Sequence, residues 1–295
     1  THSGAAGVGG GIIRIQLSDT LTLDGLISAN GGTGANGYNS RGGGGGAGGS
    51  VWVTTETLKG AGKFEANGGG GGGSVSFRGG GGAGGRIAIY YNAWSDFISP
   101  QNSLVTGGTG RYSGGAIGTL VFIDQNDTEE SLDDDLWVKE GWRWQGAEGP
   151  FDYSEFIAYN ATIVSGPDEA ATVLSFDTFT LLDDAVWYPN EYDTTLTANT
   201  ANIGGACKIL SDSKSLSLNI SGTMTLATGT LIDSEVLTVN GTSATTIIGS
   251  SEINATTLTW HGSDLTIDSG SVMDVSGKNP GETAGVGTSN GTNVA

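Results

Sequence analysis

LSLNISGTMTLATGTLIDSEV (216–236), LTVNGTSATTIIGSSEINATT (237–257) and LTWHGSDLTIDSGSVMDVSGK (258–278) follow one another without a gap, and all three are equal in length. Leu216, Leu237 and Leu258 head the three copies, and Leu218, Val239 and Trp260 stand two positions on. Apolar, polar, apolar is the alternation of a half-buried strand, because successive side chains leave opposite faces of the sheet. Leu226, Ile247 and Ile267 recur within a residue of one common offset. Several short strands in each such period describe one coil of a parallel β-solenoid, with coils hydrogen-bonded at ~4.8 Å per rung. Traced backward, the register reaches LSFDTFTLLDDAVWYPNEYDT (174–194), where Leu174 and Phe176 take the places of Leu216 and Leu218.

A second repeat of different texture occupies the N-terminal part. LTLDGLISANGG (21–32) aligns on LKGAGKFEANGG (58–69) at an offset of 37, sharing the leucine, the middle glycine and the closing Ala-Asn-Gly-Gly. Strand-like runs introduced by glycines recur at GGIIRIQL (10–17), GGSVWVTT (48–55), GGRIAIYY (84–91) and GGAIGTLVFI (114–123). Between them, glycine makes up more than half of 31–49 and two thirds of 68–85, so these stretches bury no apolar side chains of their own. Three readings stand for them: solvent-exposed loops, since glycine loses the most backbone entropy on ordering, packed extended strands of polyproline-II type, or segments that order only against a neighbouring subunit. The fold expected is all-β, a parallel β-solenoid (β-helix) with glycine-rich loop insertions projecting sideways.

Four zones follow. Residues 1–123 read as glycine-rich coils, 124–194 as acidic and aromatic irregular coils, 195–277 as regular coils of about 21 residues, and 278–295 as a Gly/Thr/Asn-rich tail that contacts or continues into a next unit. The chain has no apolar run of the roughly 18 residues that a membrane helix needs, so no membrane insertion is expected. An N-terminus at Thr1 with no basic start and no apolar leader fits a processed secreted protein or a segment of a longer one.

The net charge of −19 is unevenly placed. Residues 1–123 hold seven Lys/Arg against five Asp/Glu, a balance of +2, whereas residues 124–295 hold five against twenty-six, a balance of −21. That balance excludes nucleic acid and anionic membrane as expected partners. Cys207 is the single cysteine, which rules out an intrachain disulfide and reads as a small buried apolar residue.

No catalytic constellation is present. GxSxG, HExxH, a phosphate-binding loop ending in Lys-Ser/Thr and paired CxxC are all missing, and GAGK (60–63) runs into Phe64, which has no hydroxyl to offer a metal. His2 and His261 are the only histidines, too few for a His-rich metal site. Asp183-Asp184 and His261-Gly262 have the residue types of β-helical polygalacturonases, but they lie far apart along the chain and no basic substrate-binding motif accompanies them. No catalytic or cofactor-binding residue is therefore assigned, and the chain is not expected to be an enzyme. Within the acidic run 124–135, Asp124, Asn126, Asp127 and Glu129 form a calcium candidate through carboxylate and amide oxygens, although the EF-hand order and its glycine are absent and a solvated acidic loop is the plainer reading. Six Asn-x-Ser/Thr sequons suit surface turns.

Trp142, Trp144 and Trp187 are candidate stacking platforms for a surface polysaccharide, the alternative being a carbohydrate-binding or carbohydrate-cleaving β-helix, provided that their rings are exposed beside carboxylates. Dense aromatics more commonly build a core. A further alternative is an ice-binding solenoid, hinted at by Thr238, Thr259 and Thr266.

GGSVWV, GGRIAIYY and ANGGGGGG resemble the glycine-rich β-solenoid segments of very large bacterial cell-surface and secreted proteins, over residues 1–123 and in part over 258–295. The resemblance implies a surface location and adhesion or fibrous assembly, and it brings no catalytic residues. The function expected is an extracellular structural unit whose partner is itself, head to tail, as a homopolymer or as tandem copies.

Overall fold

The computed structural model describes residues 4–38, 41–74, 77–97, 102–110, 114–125, 135–144, 153–165, 172–189, 193–211, 215–241, 244–247 and 250–275. Among them are twenty strands and no α-helix. The chain divides into two compact units, Thr1–Trp142 and Arg143–Ala295, a boundary that falls inside the aromatic middle zone.

The first unit contains β1 (Ile12–Gln16), β2 (Thr20–Thr22), β3 (Leu26–Ser28), β4 (Ser50–Gly60), β5 (Lys63–Glu65), β6 (Arg86–Phe97), β7 (Thr119–Asp124) and most of β8 (Asp135–Trp144). The four glycine-led runs lie side by side and parallel, with Ile13, Val51, Ile87 and Leu120 in one file and Ile15, Val53, Ile89 and Phe122 in the next. Both files point inward, and Val53, Ile89 and Phe122 are fully buried. The offset of 37 appears as a register of Leu21 on Leu58 and of Ile27 on Phe64. Phe64, Phe97 and Phe122 pack ring against ring with centroids 5.8–6.2 Å apart, the geometry that aromatic quadrupoles favour. β8 departs from the pattern and runs antiparallel to β7, Phe122 opposite Trp137.

The glycine stretches are not loops, which corrects the expected sideways insertions. Gly4, Gly7 and Gly10 donate backbone hydrogen bonds to the carbonyls of Arg41, Gly44 and Ala47, and Gly45 and Gly48 donate onward to Gly80 and Ala83. A second set joins two layers: Gly43, Gly46 and Gly49 donate to Ala35, Gly32 and Ala29. Both sets repeat every third residue, the period of a polyproline-II helix with three residues per turn. Across 42–49 every backbone N–H but those of Gly44 and Ala47 thus finds a backbone partner without the alternation of a β-ladder, and this hydrogen bonding offsets the entropy cost of ordering glycine. Backbones approach so closely that a Cβ on Gly45 would lie 1.8 Å from the Gly69 carbonyl oxygen. The repeated Ala-Asn-Gly-Gly has a specific role here. Ala29 and Ala66 are buried, the Asn30 side-chain oxygen accepts from the Asn67 N–H, and the Asn67 oxygen accepts from Thr106.

The second unit holds β9 (Glu155–Ser165), β10 (Thr172–Leu182), β11 (Val186–Tyr188), β12 (Thr194–Ile203), β13 (Lys208–Ser211), β14 (Leu216–Ile220), β15 (Met224–Leu226), β16 (Leu231–Gly241), β17 (Ala244–Ile247), β18 (Glu252–His261), β19 (Asp264–Ile267) and β20 (Val272–Asp274). All pairings among its described residues are parallel. Leu216, Leu237 and Leu258 are in register, as are Leu226, Ile247 and Ile267. Farther back the register differs from the expected one, for Leu174 aligns with Leu196 and Leu218 and not with Leu216. Each of these two earlier steps is one position longer than the step from Leu218 to Val239. A total slip of two preserves which side chains face inward.

An open parallel β-solenoid is not what these pairings form. β9, β10, β12, β14, β16, β13 and β11 pair in that order and β11 returns to β9, closing a seven-stranded parallel barrel with β15 and β17–β20 as outer strands. The physical reason lies in the long strands, which change partner along their length: β16 pairs with β13 through Leu231–Ser234 and with β14 through Leu237–Gly241. Phe156, Phe179 and Trp187 fill the core, Phe179 standing 5.3 Å from each of the other two rings.

Candidate functional site

Trp187 is fully buried between Ile163 and Ile209 in the ladder of β9, β11 and β13, so its ring is closed to sugars and the stacking assignment is corrected to a core one. Trp142 is half-buried and its indole N–H is buried without a partner among the described residues. The side chain of Trp144 lies outside the described set. Of the calcium candidates, Asp124 ends β7 opposite Tyr91, while Asn126, Asp127 and Glu129 lie outside the described residues. Among the described residues no three His, Cys, Asp or Glu side chains group as metal ligands.

Asp183 and Asp184 occupy the turn from β10 to β11 with φ of 50° and 62°. Aspartate tolerates this left-handed region because its short side chain bonds locally, and Asp183 holds the Tyr159 phenol protonated beyond its usual range through a hydrogen bond. The pair is a turn. His261 is exposed at the end of β18.

Buried titratable groups also read as structural. Lys139, its charge disfavoured by burial, donates from Nζ to the Ser103 carbonyl at 3.1 Å and ties β8 to the 102–105 segment. Burial raises the adjacent Glu140 carboxyl, with Lys139 opposing. Cys207 is buried, and desolvation pushes its thiol up to about 11. From ionisation alone, its reaction with a soluble disulfide reagent at about pH 8 is expected to run on the order of 10²-fold slower than that of an ordinary thiol. Denaturant should restore the rate, and fast labelling of the folded chain would contradict the burial.

What remains is an edge. Among the described residues β1 pairs with β4 alone. The bonds Ser50 N–H to Gly11 and Leu17 N–H to Thr54 set the odd-numbered residues of β1 toward β4. The N–H and C=O groups of Ile12, Arg14 and Gln16 therefore face the open side. The glycine lattice is open on the same rung. A trans peptide points its C=O opposite its N–H, so the carbonyls of Ala6 and Gly9 point away from segment 41–49, and they accept no backbone N–H among the described residues. Val8 and Ile12 on this rung are 77% and 85% exposed. In the second unit, Leu265, Ile267 and Val272 of β19 and β20 are exposed likewise. The sequence missed Ala6 and Gly9 because only the bond pattern separates an edge glycine from an interior one.

No family model matches the chain, and no curated protein or solved structure matches it.

Proposed function

We propose that this chain is an extracellular structural module that lengthens by adding copies of itself along unpaired strand edges. The observation that carries the reading is the first rung of the Thr1–Trp142 unit, where β1 and the glycine segment 4–11 hold aligned backbone groups with no partner among the described residues, beside exposed Val8 and Ile12. Natural proteins blunt such edges with proline, charge or a covering element, because a bare edge templates pairing with another chain. Here only Arg14 stands on the edge strand as a charge. The likeness of LTID (265–268) to LTLD (21–24) makes the last described strands resemble the first, which suits head-to-tail addition of identical copies. Such a heterologous contact does not close and so propagates.

Arg14→Pro tests this directly, since proline removes an N–H from the open side and spares the ladder to β4. Negative-stain micrographs and sedimentation should show concentration-dependent oligomers for the native chain and at least a tenfold lower association constant for the variant. A native chain that stays monomeric at hundreds of micromolar defeats the proposal.

A further inference from the structure

The outer face of β10, β12, β14, β16 and β18 has a feature that the strand edges do not explain. Two files of side chains run across it in register. One is Val173, Thr195, Ser217, Thr238 and Thr259; the other is Ser175, Thr197, Asn219, Asn240 and His261. All ten are half-buried or exposed, and their inward neighbours Leu196, Leu218 and Val239 are buried, so both files face outward.

None of the ten is Asp, Glu, Lys or Arg, although residues 124–295 carry a balance of −21. A neutral face in so acidic a chain matches an uncharged partner, because any charge there would have to be desolvated on contact. The face also carries no Trp, Tyr or Phe, the rings that give sugar sites their stacking area. Apart from Val173 and His261 at the ends of the files, it is built of hydroxyls and amides. Asn240 donates to the Asn219 side-chain oxygen at 2.8 Å, one rung to the next, which fixes that file. The neighbouring Thr side chains have a restricted χ1.

Spacing narrows the partner. Hydroxyls in one file repeat at the rung distance of ~4.8 Å and the two files stand ~6.6 Å apart along the strands. Waters hydrogen-bonded at ~2.8 Å to one shared tetrahedral neighbour lie ~4.5 Å from each other. Successive Thr and Ser hydroxyls can thus take the places of second-neighbour oxygens in a tetrahedral water lattice, with the Thr methyls between them. We infer that this face binds the surface of crystalline ice, with Thr195, Ser217, Thr238 and Thr259 as the principal contact file. Thr266 is not part of it, since it continues a separate file through Thr225 and Thr246.

The test is ice recrystallisation and thermal hysteresis in the full chain, compared with Thr238→Lys and with Glu235→Lys, an exposed position on the same strand outside both files. The native chain should stop grain growth at micromolar concentration, Thr238→Lys should need at least tenfold more, and Glu235→Lys should match the native chain. Unchanged circular dichroism certifies the fold of each variant. Thr197→Lys gives a second reading should Thr238→Lys misfold. A native chain no better than an equal mass of albumin overturns the inference, as does undiminished activity in both threonine variants. Retention on crystalline cellulose or chitin that Thr238→Lys abolishes, without any effect on ice, also overturns it.

Discussion

Replacing Gly69 with alanine is expected to unfold or severely destabilise the first unit, whereas the same replacement at Gly80 leaves it intact. A Cβ on Gly69 would stand 2.0 Å from the Gly32 carbonyl oxygen and 2.4 Å from its carbon, so backbone and not a pliable side chain must move. At Gly80 nothing lies within 4 Å. Overpacking in ordinary cores costs about 1–3 kcal/mol because neighbouring side chains yield. Here the neighbour is a hydrogen-bonded strand whose displacement strips the bonds Gly69 to Gly46 and Gly32 to Val8 together, so a loss above about 4 kcal/mol is expected, the range reserved for a specific structural breach. The collagen triple helix fails at its axis for the same reason. Were these stretches flexible loops, the sign would reverse, for Gly→Ala there stabilises by about 0.4–1 kcal/mol through the unfolded chain. Thermal melts of the two variants separate the cases, and a Gly69→Ala melt equal to or above the native one would falsify the lattice.

How far the fold was legible depends on which physical signal each part left in the sequence. Leu216, Leu237 and Leu258 could be set in register from periodicity alone, because parallel stacking repeats inward positions at constant spacing. Leu174 could not be placed in register, since the two steps from Leu174 to Leu218 each take up one extra residue and the total of two leaves the inward parity unchanged. Ring closure left no trace, because it arises when one strand divides its edge between two partners, as β16 does. The glycine stretches carried a signal of another kind. Composition fits loops and lattices alike, and only the recurrence of Asn30 and Asn67 at the offset of 37 records that one stretch lies upon the next. Of the outward threonines, Thr238 and Thr259 were visible in sequence, but Thr195 joins them only through the longer step from β12 to β14.

Trp187→Ala is expected to lower the stability of the second unit by about 3–5 kcal/mol, the range for deleting a large buried aromatic. Alternation on β11 explains the position: Val186 is half-buried, Trp187 buried and Tyr188 exposed, so the ring points inward and meets Phe179 at 5.3 Å. Removal leaves a cavity lined by Phe179, Ile163 and Ile209 that the ladder of backbone bonds keeps from collapsing. For a unit of this size each kcal/mol shifts the melting temperature by about 2–4 °C, giving a drop of roughly 6–20 °C. Trp187→Phe should recover much of the loss, because a smaller ring keeps the contact with Phe179, and Tyr188→Ala, on the opposite face, should stay within about 0.5 kcal/mol of native. The same three variants decide between core and sugar platform. A ring that stacked on polysaccharide would leave stability nearly unchanged and abolish retention on the polymer, so a melting temperature for Trp187→Ala within about 2 °C of native, accompanied by lost retention, would return Trp187 to the surface.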